Sequence, residues 1–92
     1  MGNPTFGRLI RAARLRQDQT LSDIAGAVGI SVAYLSRIER DRELPPKDSV
    51  VKLLCIKLAL SEDDAFAAAR RFPPDLQKNA GEVIAAYRRS VR

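Results

Sequence analysis

The segment from Thr20 to Asp41 constrains the fold more than any other part of this 92-residue chain. Thr20 can cap the N-terminus of a helix, and Asp23, three residues later, favours a capping box. Apolar residues then follow at the spacing of one helical face: Leu21, Ile24, Ala25 and Val28. Gly29 supplies a left-handed backbone position that ends a helix at little cost. The segment therefore begins with a short amphipathic helix that a glycine turn closes.

A second short helix is predicted after the glycine turn. Ser31 can cap it, and Leu35 and Ile38 lie three residues apart on its inner side. Ala25 is small at the point where the two helices would cross, so their backbones can approach closely. Two helices joined at a steep angle by such a turn are typical of a device that places its second helix in the major groove of DNA. The pattern favours sequence-specific DNA binding over catalysis.

The residues of this segment resemble a known family. The sequence GIS at 29–31, followed by LSRIER at 35–40, is similar to the signature of the lambda-repressor/Cro-like helix-turn-helix family, also called the xenobiotic-response-element family. The similarity extends from about Phe6 to about Leu60. It implies a lambda-repressor-like DNA-binding domain.

Capping residues and apolar spacing predict an all-α chain with five helices in the main domain. The predicted helices run from the Thr5 cap to about Gln17, from Leu21 to Val28, from Val32 to about Arg40, from about Lys47 to Leu60, and onward from a Ser61 cap. Outside the motif, the predicted core residues are Phe6, Leu9, Ile10, Ala13, Val50, Val51, Leu54, Cys55, Leu58, Ala65, Phe66, Ala69 and Phe72. Pro73 and Pro74 then break the pattern, and residues 80–91 predict an extra helix. We expect a DNA-binding domain at 1–72 and a linker with a C-terminal helix at 73–92.

The family resemblance indicates which residues read DNA bases. Carried over by position, these are Val32, Ala33, Ser36 and Arg37. Arg37 can donate two hydrogen bonds to guanine O6 and N7, and a phosphate contact is its alternative role. Val32 and Ala33 can pack on thymine methyl groups.

A second set of residues is predicted to contact the DNA backbone: Thr20, Ser22, Ser31, Tyr34, Arg40, Arg42 and Lys47. Such contacts set affinity and salt dependence rather than sequence choice.

Two positions depart from the family. Leu21 stands where many relatives carry glutamine and is expected to serve the core. Asp41 stands where relatives often carry glycine, and it tolerates the left-handed region but makes the local charge less favourable to DNA.

Glu39 would repel phosphate if it faced DNA. The resemblance implies instead that Glu39 pairs with Arg14 on the first helix. A partly buried ion pair of this kind would fix the second motif helix against the first helix of the domain.

The C-terminal helix leaves three alternatives open. Its apolar residues lie on roughly one face: Val83, Ile84, Tyr87 and Val91. A helix of this length is marginal alone in water, so the face should pack on its own domain or on a second copy, unless the helix frays. The leading hypothesis is a homodimeric repressor on a palindromic operator. The alternative is an antitoxin-type protein that binds a toxin through residues 73–92 and regulates its own operon.

Composition limits the remaining classes of protein. The net charge is +5, which favours a polyanionic partner such as double-stranded DNA. The chain has no histidine and one cysteine, which excludes a disulfide framework and a zinc finger. We therefore expect no enzyme, metal or cofactor, and we interpret the acidic run at 62–64 as a solvated helix start. No apolar stretch of membrane-spanning length and no signal peptide is visible, which fits the cytoplasm.

Overall fold

Five α-helices form the part of the chain that the computed structural model describes, residues 4–70. They are α1 (Phe6–Arg16), α2 (Leu21–Val28), α3 (Val32–Glu39), α4 (Asp48–Leu58) and α5 (Glu62–Ala68). These residues contain no strand, and the predicted all-α, five-helix fold is confirmed. The predicted linker and C-terminal helix at 73–92 lie outside the described residues, as does Phe72.

A single apolar core joins the five helices. Helix α1 packs against α3, α4 and α5, while α2 packs against α3 and α4, and α4 packs against α5. The core residues of each helix include the positions that apolar spacing predicted. The fully buried large side chains are Ile10, Leu35, Ile38, Val51, Leu54, Leu58 and Phe66. Leu9, Leu21 and Ala69 are partly buried against this core. Cys55 is buried, as predicted, and burial raises the pKa of its thiol.

Several helices end earlier than the sequence predicted. Helix α4 begins at Asp48 rather than Lys47 and ends at Leu58 rather than Leu60. It ends there because Ala59 adopts the left-handed conformation (φ 53°) and the Leu60 amide donates to the carbonyl of Cys55 at 2.9 Å. This is the hydrogen-bond pattern of a Schellman-type helix end. Helices α1 and α3 stop one residue before the predicted ends.

Helices α2 and α3 form the predicted helix-turn-helix. Their axes are bent by 109°, within the range of the motif. Gly29 takes the left-handed position (φ 76°), and the Ile30 amide donates to the carbonyl of Ala25 at 3.0 Å.

Within residues 4–70 no single helix is long and apolar enough to cross a membrane, and α2 with α3 reach that length and hydropathy only as a pair across their bend.

Candidate nucleic-acid interface

Helix α3 has a buried face and an outward face. Leu35 and Ile38 are almost fully buried and fix the helix on the core. The side chain of Val32 is 44% exposed, and Ala33 and Arg37 are also exposed, while Ser36 is half-buried. The predicted base-reading residues therefore lie together on the outward side of α3, at the i, i+1, i+4 and i+5 positions of one helical face.

The N-terminus of α3 is held by Ser31. Its hydroxyl accepts a hydrogen bond from the Tyr34 amide at 3.0 Å. The Ser31 side chain is exposed, and the hydroxyl proton can still be donated to a phosphate oxygen. The cap thus fixes the start of the outward face while leaving a donor at its edge.

The N-terminus of α2 carries a complete capping box. The Asp23 amide donates to the Thr20 hydroxyl at 3.0 Å, and the Thr20 amide donates to the Asp23 carboxylate at 3.0 Å. The hydrogen bond from the Thr20 backbone lowers the pKa of Asp23. A carboxylate therefore lies at the helix end where the sequence predicted a phosphate contact through Thr20 and Ser22. Any phosphate at α2 would have to bind beside this charge, through the exposed hydroxyl groups of Thr20 and Ser22.

Basic residues follow the C-terminus of α3 along the chain. The Nε atom of Arg40 donates to the carbonyl of Ser36 at 3.3 Å, so this arginine folds back over its own helix end. The Arg42 amide donates to the carbonyl of Arg37 at 2.9 Å, which holds Arg42 next to the helix. Lys47 is exposed immediately before α4. The positions of Arg40 and Arg42 suit cations, since the C-terminal end of a helix carries partial negative charge, whereas Lys47 precedes the positive end of α4.

The ion pair that the resemblance implied, between Arg14 of α1 and Glu39 of α3, is present. Arg14 Nε lies 2.8 Å from Glu39 Oε2, and Arg14 Nη2 donates to Glu39 Oε1 at 2.9 Å. Arg14 Nη1 also donates to the carbonyl of Gln19, at 2.9 Å. The side chains are only 10% and 4% exposed, and the hydrogen bonds to Glu39 raise the pKa of Arg14. Glu39 therefore faces the domain interior rather than DNA, and it ties α3 to α1.

Asp41 has a role that sequence reasoning missed. It occupies the left-handed region (φ 58°), as expected, but its carboxylate also caps α1. Thr5 Oγ1 donates to Asp41 Oδ2 at 2.7 Å, and the Gly7 amide donates to Asp41 Oδ1 at 3.2 Å. A Cβ atom at Gly7 would lie 2.8 Å from the carbonyl oxygen of Glu39 and closer still to that of Ile38. The missed signal was the glycine inside a helix, which marks a close backbone approach.

The fold and the arrangement of α2 and α3 define a DNA-binding class of domain. The model of a family described as "Helix-turn-helix domain" matches residues 5–68, which is more than half of the chain. The chain belongs to this helix-turn-helix family, and the predicted resemblance to lambda-repressor/Cro-like proteins is confirmed. The predicted dimer or partner contacts Val83, Ile84, Tyr87 and Val91 lie outside the described residues, so the candidate interface is confined to α2, α3 and their flanks.

Three relatives illustrate the match. The chain is 35% identical over 54 residues to the transcriptional regulator ClgR of Mycobacterium tuberculosis, which covers 59% of this chain and 47% of ClgR. It is 28% identical over 85 residues to RghRB of Bacillus subtilis, an uncharacterized HTH-type transcriptional regulator, covering 89% of this chain and 61% of that protein. The crystal structure of the clp gene regulator ClgR from Corynebacterium glutamicum superposes with a TM-score of 0.62 at 26% identity, covering 89% of this chain and 83% of that chain. The chain thus spans only about half to three-fifths of the two curated relatives.

Proposed function

We propose that this domain binds a specific double-stranded DNA sequence by inserting α3 into the major groove. The observation that carries the proposal is the division of α3 into two faces. Leu35 and Ile38 hold the helix on the core, whereas Val32, Ala33 and Arg37 are exposed on the opposite side. The major groove admits one α-helix, and a helix that is packed on the core by one face only can enter it with the other face.

The outward residues of α3 supply two kinds of base contact. Arg37 donates two hydrogen bonds to guanine O6 and N7, which contributes about 1–3 kcal/mol of discrimination. Val32 and Ala33 pack on thymine methyl groups, and Ser36 hydrogen-bonds a base edge one turn further. The operator should therefore contain guanine and thymine at neighbouring positions of each half-site.

The remaining contacts are to phosphates. Cationic side chains after α3, together with polar groups around the turn, contact the phosphates of the two strands that border the groove. They are Thr20, Ser22, Ser31, Tyr34, Arg40, Arg42 and Lys47. The net charge of +5 supports this assignment, since counterion release from DNA favours basic proteins.

At the level of the whole protein, we propose a transcriptional regulator that acts as a homodimer on a palindromic operator in the cytoplasm. Two copies of α3 would enter successive major grooves about 34 Å apart. Repression would follow from occupation of a promoter, without catalysis, a metal or a cofactor. The names of the relatives as transcriptional regulators support this proposal. The antitoxin alternative depends on residues 73–92, and no contact among residues 4–70 favours it.

The DNA-binding proposal is tested by selecting binding sequences from a random pool of duplexes. We expect one enriched motif, with an affinity that falls steeply as salt rises. A flat salt response, or a pool without an enriched sequence, would contradict DNA recognition.

The division of labour is tested by two single substitutions. Arg37→Ala should relax the preference at one base pair of each half-site, because a base contact is lost. Arg42→Ala should weaken all sequences alike and reduce the salt slope by about 1, because a phosphate contact is lost. Identical behaviour of the two variants would show that Arg37 does not read a base.

The homodimer is tested separately by light scattering and by the selected sequence. A dimer should enrich an inverted repeat with half-site centres about 10 bp apart. A monomer that selects one isolated half-site would contradict the dimer while leaving the DNA-binding proposal intact.

A further inference from the structure

The side chain of Arg37 lies beside two neighbours. Its Nε atom lies 3.5 Å from Glu43 Oε2, in the loop after α3. Its guanidinium carbon lies 6.0 Å from the centre of the Tyr34 ring, at the limit of a cation–π contact. The side chains of Arg37 and Glu43 are 46% and 40% exposed, so the cluster is on the surface. An arginine on the outward face of α3 therefore lies next to a carboxylate and an aromatic ring that can orient it.

We propose that Glu43 is a positioning residue that makes Arg37 selective for guanine. This inference rests on the proposed function of α3 in DNA binding. A guanidinium has one donor on Nε and two on each terminal nitrogen, in a fixed plane. With the carboxylate at Nε, the edge formed by Nη1 and Nη2 is presented to the groove. That edge has the two parallel donors that guanine O6 and N7 accept.

The contact between Glu43 and Arg37 does not act through stability. An exposed ion pair of this length contributes little to folding in water, because solvent screens it and two side chains lose freedom. Its electrostatic strength rises when DNA displaces water, because the effective dielectric constant falls. The contact therefore gains strength in the complex, where the orientation of Arg37 determines which base is accepted.

Glu43 also lowers binding to wrong sequences. A carboxylate beside the reading arginine repels the phosphates of any DNA, and it competes with phosphates for the guanidinium. Arg37 can satisfy both Glu43 and a base edge only where the base offers acceptors to its terminal nitrogens. Specificity is the difference between the affinities for the correct and the wrong DNA. A repulsive group increases that difference when only the correct DNA offers contacts that offset the repulsion.

The other carboxylate of this loop has a different assignment. The loop between α3 and α4 contains Asp41 and Glu43 as its acidic residues. Asp41 is hydrogen-bonded to Thr5 and Gly7 at the start of α1, at 2.7 and 3.2 Å. Glu43 is the one of the two that contacts a residue of the outward face of α3. The two carboxylates are two residues apart and have different roles. Asp41 ties the loop to α1, whereas Glu43 contacts Arg37 on the outward face of α3.

The test compares Glu43→Ala with the control Asp63→Ala. Asp63 is an exposed acidic residue of α5, so its replacement gives the same change in net charge. Each variant is titrated with the selected operator, with an operator altered at the guanine, and with unrelated DNA. Glu43→Ala should tighten binding to unrelated DNA and reduce discrimination at the guanine by about twofold to fivefold. Asp63→Ala should leave that discrimination unchanged. Glu43→Ala should keep the melting temperature of the parent protein, which separates positioning from a structural role.

A double-mutant cycle decides whether Glu43 acts through Arg37. In an Arg37→Ala background, removing Glu43 should have no further effect on discrimination at the guanine. If Glu43→Ala instead strengthens binding to every sequence by the same factor, Glu43 is only a repulsive charge and the proposal is wrong. If the parent protein prefers guanine and Glu43→Ala preserves that preference, the proposal also fails, although DNA binding stands. A parent protein without any base preference would overturn the proposed function itself.

Discussion

Replacement of Glu39 by alanine should destabilise the domain strongly. The substitution removes two hydrogen bonds of 2.8 and 2.9 Å and leaves the guanidinium of Arg14 charged in a site that is 10% exposed. The substitution also removes the hydrogen bonds that raise the pKa of Arg14, but arginine keeps its proton near neutral pH without them, so the residue cannot escape the cost by deprotonating. Its remaining contact with the carbonyl of Gln19 satisfies only one nitrogen.

The magnitude follows from the two lost bonds. Hydrogen bonds between charged groups contribute about 1.5–3 kcal/mol each, and breaking a buried pair by removing one partner costs about 3–5 kcal/mol. A domain of this size has a free energy of unfolding of about 3–10 kcal/mol. Loss of the Glu39 carboxylate should therefore lower the melting temperature by more than about 12 °C.

The assay is chemical and thermal unfolding followed by circular dichroism. Three proteins are compared with the parent: Glu39→Ala, Arg14→Met and the double variant Arg14→Met/Glu39→Leu. The double variant should be more stable than either single variant, because it leaves no charge unpaired and fills the space with apolar side chains. Single variants whose stability stays within about 0.5 kcal/mol of the parent would refute the argument, as would losses that simply add in the double variant.

The same pair should affect DNA binding through the position of α3. Glu39 lies on the helix that carries the outward residues, and Arg14 anchors it to α1. Measured at a temperature where circular dichroism shows the variant to be folded, Glu39→Ala should bind the operator more weakly than the parent. Full operator affinity in a folded Glu39→Ala variant would show that α1 does not need this tie to orient α3.

Three further substitutions test local features. Gly7→Ala should destabilise the domain by about 1–3 kcal/mol, because its Cβ would lie 2.8 Å from the Glu39 carbonyl oxygen. The control Gly26→Ala, whose Cβ meets nothing within 4 Å, should stabilise it by up to about 1 kcal/mol. Equal effects of the two substitutions on urea unfolding would refute the close contact at Gly7. Ala59→Gly should stabilise by about 0.5–1 kcal/mol, since Ala59 has a φ of 53° that glycine adopts without strain, and an unchanged urea midpoint would contradict this. Because the pKa of Asp23 is lowered in the folded state, its carboxylate contributes fully to stability above the unfolded pKa of about 4, and this contribution is lost as the pH falls through the folded pKa. The difference in melting temperature between the parent and Asp23→Asn should therefore shrink from pH 7 to pH 3.

The sequence predicted the helix-turn-helix because every local signal in it agreed. A capping residue, an apolar face, a left-handed glycine and a second cap occurred at consecutive positions, and each has a steric or hydrogen-bonding reason that needs no distant contact. The same holds for the core of α4, where Val51, Leu54 and Leu58 are buried as predicted. The Arg14–Glu39 pair is 25 residues apart in sequence, and its prediction depended on the family resemblance rather than on local pattern.

The ends of the helices were harder to predict because they depend on backbone conformations that ordinary side chains disfavour. The sequence offers no glycine at 59, yet Ala59 takes the left-handed position and ends α4 two residues before the predicted end. Such a position is occupied when the hydrogen bonds and packing of the helix end outweigh a local cost of about 1–2 kcal/mol. Apolar spacing extends through Leu60, so periodicity alone gives a helix that is too long.

Asp41 shows why the charge of the interface could not be predicted from residue types. In the sequence it replaces a frequent glycine and adds a negative charge beside α3, which suggested weaker DNA binding. In the structure its carboxylate accepts hydrogen bonds from Thr5 and Gly7, at the positive N-terminal end of α1. The helix dipole and these donors offset part of the charge, and the absence of a side chain at Gly7 is what allows α1 to come close enough. Asp41 and Gly7 therefore act together, because the carboxylate near the candidate interface is used to tie the start of α1 to the end of α3.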